Sequence, residues 1–170
     1  MVFKIKYIGI YLMGSLVLSA CGYRFAGSGS LPGGTQTVFV EVLENRTAET
    51  GIENTFTADL RFEFVRSKMT ATRSEAEGIL SGVIRSLRVE TIARTSQTVS
   101  QERRVTATVD LTLVDQDGKV LWSRKGISDS EAYRVTADDK PALDFNKRAA
   151  ITRLSKRIGE SVFYRLTDDF

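Results

Sequence analysis

The most regular alternation of hydrophobic and polar residues along the chain lies between positions 105 and 113. A period of two predicts a β-strand with one buried and one exposed face. The predicted inward positions are Val105, Ala107, Val109, Leu111 and Leu113, and the outward positions are Thr106, Thr108, Asp110 and Thr112. Asp117-Gly118 then predicts a hairpin turn over residues 115–119, because glycine tolerates a positive φ. A return strand is expected to begin at residues 120–123, with Gly126 marking a bulge before residues 127–133.

Two further strands are predicted upstream of this hairpin. Residues 38–43 form a short apolar run, rich in β-branched side chains, that is typical of a buried strand. Residues 78–92 predict a long strand, with one face made of Ile79, Val83, Leu87 and Val89 and the other of Leu80, Ile84 and Arg88. Residues 91–101 are rich in Ser, Thr and Gln, so they either prolong the strands as an exposed ribbon or form a loop between them.

Residues 51–67 predict an amphipathic helix that packs an aromatic face on the sheet. The apolar residues of that face are Ile52, Phe56, Leu60 and Phe64, with Phe62 and Val65 alongside. Thr50 and Glu53 have the spacing of a capping box, in which each side chain accepts a bond from a backbone amide near the helix start.

A second helix is predicted to begin at residues 138–141. Asp138 and Asp139 would lie at the positive end of its dipole, and Pro141 is tolerated in the first turn. Its apolar stripe consists of Ala150, Ile151, Leu154, Ile158 and Val162. The rest of its surface carries Lys147, Arg148, Arg153, Lys156, Arg157 and Arg165. This basic face is either a solvated surface or a contact with an anionic surface or lipid.

The first twenty residues have the pattern of a secretory signal. Lys4 and Lys6 precede an apolar run over residues 7–18, and small residues follow just before Cys21. Leu18-Ser19-Ala20-Cys21 resembles the bacterial lipobox, in which cleavage between Ala20 and Cys21 leaves an acylated cysteine as the first mature residue. The alternative is an ordinary signal peptide with Cys21 as a buried thiol.

Cys21 is the only cysteine in the chain, so no intramolecular disulfide involves it. A free thiol is a liability in an oxidising compartment, and we therefore expect Cys21 to carry acyl lipid. Stable anchoring needs more than one acyl chain. We expect no other cofactor and no metal.

These patterns predict three segments. Residues 1–20 are expected to be the lipoprotein signal peptide, residues 21–37 a lipidated flexible tether rich in glycine, and residues 38–170 a single domain. Asn45-Arg46-Thr47 matches a glycosylation sequon, which we interpret as coincidence behind a bacterial-type lipobox.

Charge and residue usage exclude several functions. The 170 residues include 24 basic and 21 acidic side chains, and removal of residues 1–20 takes away two lysines and no acid, which leaves a formal charge of +1. This balance gives no support for nucleic-acid binding. The chain has no histidine, so Ser-His-Asp and Cys-His nucleophiles and the common zinc sites are excluded. No pair of acids stands in a recognisable catalytic motif, and we expect no enzyme activity.

The order of lipidated tether, strand, helix, three-stranded meander and helix resembles the lipopolysaccharide-assembly lipoprotein family LptE. The motifs that carry the resemblance are residues 21–25 (CGYRF), 38–40 with 44–47 (VFV and ENRT), 51–53 (GIE), 78–84 (GILSGVI) and 121–123 (LWS). It implies an α+β fold with two helices packed on one face of a four-stranded, mostly antiparallel sheet.

The resemblance also implies a function. Members of the family lie inside the outer-membrane β-barrel LptD, help that barrel to fold and bind lipopolysaccharide during its insertion. The implied partners are therefore an LptD-like barrel, lipopolysaccharide and the membrane, reached through the lipid anchor. Gly22 is compatible with export to the outer membrane in bacteria that retain lipoproteins through an acidic residue at that position. The alternative is an envelope lipoprotein that activates a cell-wall synthase or belongs to a secretion apparatus.

Arginine forks and lysines near a hairpin are suited to binding lipid A phosphates. The candidates are Arg85, Arg88, Arg94, Arg103, Arg104, Lys119, Arg124 and Lys125. For each of them the alternative is a solvated charge on a strand face.

Overall fold

The computed structural model describes residues 31–94, 100–136 and 140–168. Its strands and helices, in chain order, are β1 (Val38–Val40), β2 (Glu44–Asn45), α1 (Ile52–Arg66), β3 (Gly78–Arg94), β4 (Ser100–Asp115), β5 (Val120–Thr136) and α2 (Lys140–Asp168). The two helices pack on one face of a mostly antiparallel sheet, which confirms the predicted α+β fold. Residues 91–101 are expected from the sequence either to prolong the strands or to form a loop. β3 extends to Arg94 and β4 begins at Ser100, so both ends of this stretch are part of the strands.

The sheet has the order β1-β3-β4-β5, with β2 also paired to β3. β3, β4 and β5 form an antiparallel meander, whereas β1 and β2 run parallel to β3. The prediction of one strand over residues 38–43 is wrong in its second half. The Leu43 N–H donates to Thr57 Oγ1 of α1 at 3.0 Å, so the chain leaves the β3 ladder there and Val42 is 58% exposed.

Burial on β4 follows the predicted alternation. All five inward side chains are 0–1% exposed, and the threonines between them are not buried. Gly82 of β3 lies opposite Leu111, and a β-carbon at Gly82 would stand 2.5 Å from the Asp110 carbonyl oxygen. Residue 82 must therefore be glycine, because a side chain there would clash with the backbone of β4.

The predicted faces of β3 are correct for its first half and wrong for its second half. Leu80 and Ile84 are fully buried toward the helices, but the register shifts between Ile84 and Ser86. Arg85 is the extra residue of this β-bulge, which reverses the alternation. Leu87 consequently lies opposite buried Ala107 and packs against the core, on the same face as Leu80.

Helix α1 buries Ile52, Phe56, Leu60 and Phe64, as predicted. Phe62 and Val65, expected beside them, are each 55% exposed, because they lie on the side of the helix that faces away from the sheet.

Only half of the predicted capping box forms: Glu53 Oε2 accepts the Gly51 N–H at 3.1 Å, but Thr50 does not cap the helix. The N-cap is Gly51 in the left-handed conformation (φ 87°), and no side chain caps it. Asn45 organises the turn before the helix instead: its Nδ2 donates to Glu49 O and Glu53 Oε2, and its Oδ1 accepts from Thr47 N and Thr47 Oγ1, all within 2.7–2.9 Å. The sequon-like Asn-x-Thr thus has a structural role.

Helix α2 buries its predicted stripe and, in addition, Phe163 and Leu166. It crosses α1 closely at Gly159, where a β-carbon would stand 3.2 Å from the Asp59 carbonyl oxygen. The rings of Phe64 and Phe163 meet edge to face at 5.4 Å between centroids, which joins the two helices. Asp138 and Asp139, the predicted start of this helix, lie outside the described residues.

The boundary of the predicted tether needs a correction. Residues 31–37, assigned to a flexible segment, are packed on the domain: Leu31 is 1% exposed and Thr35 is 5% exposed. Thr35 Oγ1 donates to Pro32 O, and Gln36 N donates to Glu77 Oε2. Leu31 and Pro32 are buried and supply apolar contacts, which the glycine-rich composition of the segment does not predict.

We predict that Gly82→Ala destabilises the domain by about 1–3 kcal/mol, because the new methyl group would clash with the backbone of β4. Urea-induced unfolding measures this change. The matched control is Ser81→Ala, which changes the neighbouring residue on the opposite face and is expected to stay within about 0.5 kcal/mol of the parent. Equal unfolding midpoints for the two variants would contradict the predicted clash.

Candidate functional site

The face of the sheet that points away from the helices is rich in hydroxyl groups. Cross-strand register aligns side chains of β3, β4 and β5 in rows, and two of these rows consist entirely of Ser and Thr. The rows are Ser81-Thr112-Ser123 and Ser86-Thr108-Ser128. Within the rows, Oγ atoms approach each other to 3.1 Å between Thr112 and Ser123 and to 3.4 Å between Thr108 and Ser128. We call this surface the open face, because none of the described elements packs against it.

A charged belt separates the two hydroxyl rows. It is centred on Asp110, whose Oδ1 accepts the Gly126 N–H at 2.8 Å and whose Oδ2 accepts from Arg85 Nη1 at 3.2 Å. Arg85 is the extra residue of the β3 bulge, and Gly126 (φ 71°) belongs to the predicted bulge of β5. A single carboxylate therefore joins two bulges at the same level of the sheet.

The structure does not bring the eight predicted basic residues into one site. On or beside the open face, Arg85 is bonded to Asp110, Arg88 shares a row with Thr106, and Arg104 lies opposite Glu90. Lys119 lies in the β4–β5 turn.

Two of the eight candidates lie at the far end of the β3–β4 ribbon. Arg94 is the last residue of β3 and pairs with Gln101. Arg103 lies opposite buried Tyr133, on the helix side of the sheet, and within the described residues its Nε is buried without a hydrogen-bond partner.

The remaining two candidates, Arg124 and Lys125, meet residues of α2. Together with Arg157 and Arg165 they line a cleft of about 310 Å³ between the bulge of β5 and the C-terminal half of the helix. We call this surface the basic cleft. Its polar walls include Ser128, Ser161 and a single carboxylate, Asp129.

Arg157 is held rigidly at the edge of this cleft. It donates to Asp129 Oδ2 and Glu131 Oε2, each at 2.7 Å, and to the Ser130 carbonyl oxygen at 2.8 Å. Arg153 donates to Glu131 Oε1 at 2.6 Å. The hydrogen bonds from Arg153 and Arg157 lower the pKa of Glu131 below its ordinary value, against an opposing effect of burial. The hydrogen bond to Asp129 raises the pKa of Arg157.

These ion pairs bear on whether the basic face of α2 is solvated or contacts an anionic surface. Arg153 and Arg157 are not unpaired charges, because β5 supplies acidic partners for both, although 53% and 40% of their side-chain surfaces stay exposed. Arg148 and Lys156 are exposed. The sequence analysis does not predict these acidic partners, although a spacing of two places Asp129 and Glu131 on one face of a strand.

A second exposed surface is apolar. Val42, Phe62 and Val65 form a shallow groove along the outer side of α1, beside the β1 edge of the sheet. Arg61 closes that edge by donating from Nε and Nη2 to the Val40 carbonyl oxygen at 3.0 and 2.7 Å. Its guanidinium carbon also lies 5.7 Å from the Phe39 ring centroid.

The described part of the chain has neither a membrane-spanning helix nor a metal-ligand cluster. Neither helix there has the length and apolarity needed to cross a bilayer. No cluster of three or more Cys, Asp or Glu side chains in residues 31–94, 100–136 and 140–168 has the arrangement of a metal site.

Comparison with known families decides the class of protein. The family model LptE, described as lipopolysaccharide-assembly, matches residues 35–166, which is nearly the whole described domain. The chain belongs to the LptE family. Its role is accordingly that of a lipopolysaccharide-assembly lipoprotein, in a family of non-enzymatic assembly proteins.

Solved structures share the LptE-like fold at low sequence identity. Lipoprotein B from Nitrosomonas europaea is 18% identical with a TM-score of 0.57, over 87% of this chain and 92% of that one. A minor lipoprotein from Acinetobacter baumannii is 11% identical with a TM-score of 0.51, over 79% and 92%. Rare lipoprotein B from Shewanella oneidensis is 12% identical with a TM-score of 0.50, over 75% and 94%. These likenesses concern the fold alone. No match was found among curated protein sequences.

We predict that Glu131→Gln lowers the free energy of unfolding by about 1 kcal/mol at pH 7, because it weakens the docking of α2 on β5. The folded-state pKa of Glu131 is depressed, so the stabilisation is complete above the ordinary glutamate pKa of about 4.3. It is lost as the pH falls through the lower folded-state value. Urea unfolding of parent and variant from pH 7 to pH 3 should therefore converge at low pH. Glu160→Gln on the same helix is the control, and a similar loss there would contradict the assignment to the β5 ion pairs.

Proposed function

We propose that this LptE-family protein occupies the lumen of an LptD-like outer-membrane β-barrel, assists the assembly of that barrel and takes part in lipopolysaccharide insertion at the cell surface. The observation that carries the proposal is the family match over residues 35–166. A domain that serves as a plug must present a surface compatible with the lumen, and the open face is the surface best suited to it.

The chemistry of the open face matches a barrel interior. The lumen-facing side of such barrels is polar, whereas their apolar band faces lipid. Ser and Thr hydroxyls can both donate and accept hydrogen bonds, so the two hydroxyl rows can pair with polar groups of either kind. The five inward side chains of β4 stay on the other side, against the helices, so contact through the open face leaves the core intact.

A lipid anchor on Cys21 would hold the domain beside its partner. Acyl chains confine the protein to the membrane and raise its effective concentration near a barrel in the same membrane. The proposed location is the outer membrane, facing the periplasm or inside the barrel lumen. Cys21 and the residues up to 30 lie outside the described residues, but Leu31 is already packed on the domain, so the tether proposed to follow Cys21 is shorter than the sequence predicts.

Lipopolysaccharide contact would fall on basic residues whose charge is not already neutralised. Arg85 is engaged by Asp110 and is the weaker choice for this reason. Arg88 and Arg104 present guanidinium groups beside the open face, and Arg124 and Lys125 present cations in the basic cleft. Lipid A phosphates are suited to charge-assisted hydrogen bonds from such groups.

We predict that the mature lipidated protein, isolated from its native membrane in mild detergent, retains one large outer-membrane β-barrel in a one-to-one amount, identified by mass spectrometry. Cys21→Ser should abolish acylation and shift the protein out of the membrane fraction, with a corresponding loss of the barrel. Recovery of a cell-wall synthase, or of a ring of identical copies, in place of the barrel would overturn the proposal.

We also predict that Thr108→Arg blocks barrel association, because it places a long cation in the middle of a hydroxyl row without touching the core. The amount of co-purified barrel should fall at least about tenfold, which corresponds to about 1.4 kcal/mol. Thr152→Arg, the same change on the exposed surface of α2, serves as the control. If both variants retain the barrel equally, the open face is not the contact surface.

A further inference from the structure

The basic cleft lies between β5 and α2 and adjoins the open face at Ser128, but its chemistry differs from that of the hydroxyl rows. Arg124 lies opposite Leu111, so its backbone position faces the helix side of the sheet. Gly126 adopts a positive φ at the β5 bulge, and its N–H is bonded to Asp110. The bulge interrupts the alternation of β5 directly after Arg124 and Lys125, so that both of these consecutive cations line one cleft.

Helix α2 completes the cleft from the other side. Arg157 is fixed by its bonds to Asp129, Glu131 and the Ser130 carbonyl oxygen, so its guanidinium group is positioned before any ligand arrives. Arg165 lies two turns further along the helix and donates to Ser161 Oγ at 3.3 Å. Both residues stand on the same stripe of the helix, with the buried Ile158 forming the floor between them.

The charge balance of the cleft is strongly one-sided. It holds four cations and one carboxylate, and Asp129 is already bonded to Arg157. Arg124, Lys125 and Arg165 form no ion pair with any residue in the described ranges. The expected mature chain carries a formal charge near zero. The positive charge of the cleft is therefore local and does not reflect an overall basic surface. The negative end of the α2 dipole opposes an anion in the last turn of the helix, and Arg165 lies in that turn, where its positive charge offsets the dipole.

We propose that the basic cleft binds a phosphate group, with Arg124, Lys125 and Arg165 as its ligands and Arg157 as a prepositioned donor. A volume of about 310 Å³ is in the range of small-molecule sites and has room for a phosphate with an attached sugar or glycerol. Guanidinium groups bind phosphate oxygens through paired N–H donors, and the lysine adds a point charge. The phosphate belongs either to a lipid headgroup or to a free phosphate compound.

This inference deepens the proposed function, since Arg124 and Lys125 are also candidate lipopolysaccharide contacts, but its test needs no barrel. The full-length mature protein in neutral detergent is titrated with inorganic phosphate, with phosphatidylglycerol in phosphatidylcholine vesicles and with lipopolysaccharide. The cleft variant combines Arg124→Gln with Arg165→Gln. The control variant combines Arg148→Gln with Lys156→Gln, which removes the same charge from exposed positions of α2 outside the cleft.

We expect the cleft variant to lose at least about tenfold in affinity for the probe that binds, and the control variant to change less than about twofold. Binding of inorganic phosphate assigns the cleft to free phosphate compounds, whereas binding of a lipid probe alone assigns it to that headgroup. Absence of binding to all three probes overturns the proposal, as does an equal loss in the two variants. Both variants should still capture the barrel through the open face, so a failure of barrel capture by the parent protein is a separate result.

Discussion

The structure depends on the fact that β4 is buried on one side only. Its five inward side chains are almost completely enclosed, and they contact elements that all lie on the same face of the sheet. Both helices are therefore committed to that face, because it is the one with apolar area to cover. The opposite face remains available with its hydroxyl rows. A second buried face would leave this domain without a polar surface of comparable extent.

The sequence predicts those parts of the fold that follow from local periodicity. The alternation of β4, the Asp117-Gly118 turn, the Gly126 bulge and the apolar stripes of both helices are each visible within one segment. The bulge at Arg85 has no such signal, since neither glycine nor proline marks it, and the second half of β3 was consequently assigned to the wrong face. The predicted Thr50 cap of α1 is likewise wrong, because Gly51 is the N-cap and Asn45, eight residues before Glu53, organises the turn.

Ion pairing in the candidate site is also not predictable from local sequence. A sequence allows its cations to be counted, but whether a cation is neutralised depends on residues that lie far away along the chain. Arg157 is paired with Asp129 and Glu131, which precede it by more than twenty residues, and Arg85 is paired with Asp110. The sequence predicts Arg124 and Lys125 as candidate phosphate contacts and Arg165 only as part of the basic face of α2. Their proximity depends on how α2 lies across β5.

The alignment of the two bulges at Asp110 has a consequence for the shape of the surface. A bulge bends its strand and increases the local right-handed twist, and here two neighbouring strand pairs are affected at one level. A bend is therefore expected between the two hydroxyl rows, where both bulges lie. A flat partner can lie flush with one row at a time, whereas a partner whose wall curves around the domain can follow both. Curvature thereby becomes a criterion of recognition alongside hydrogen bonding.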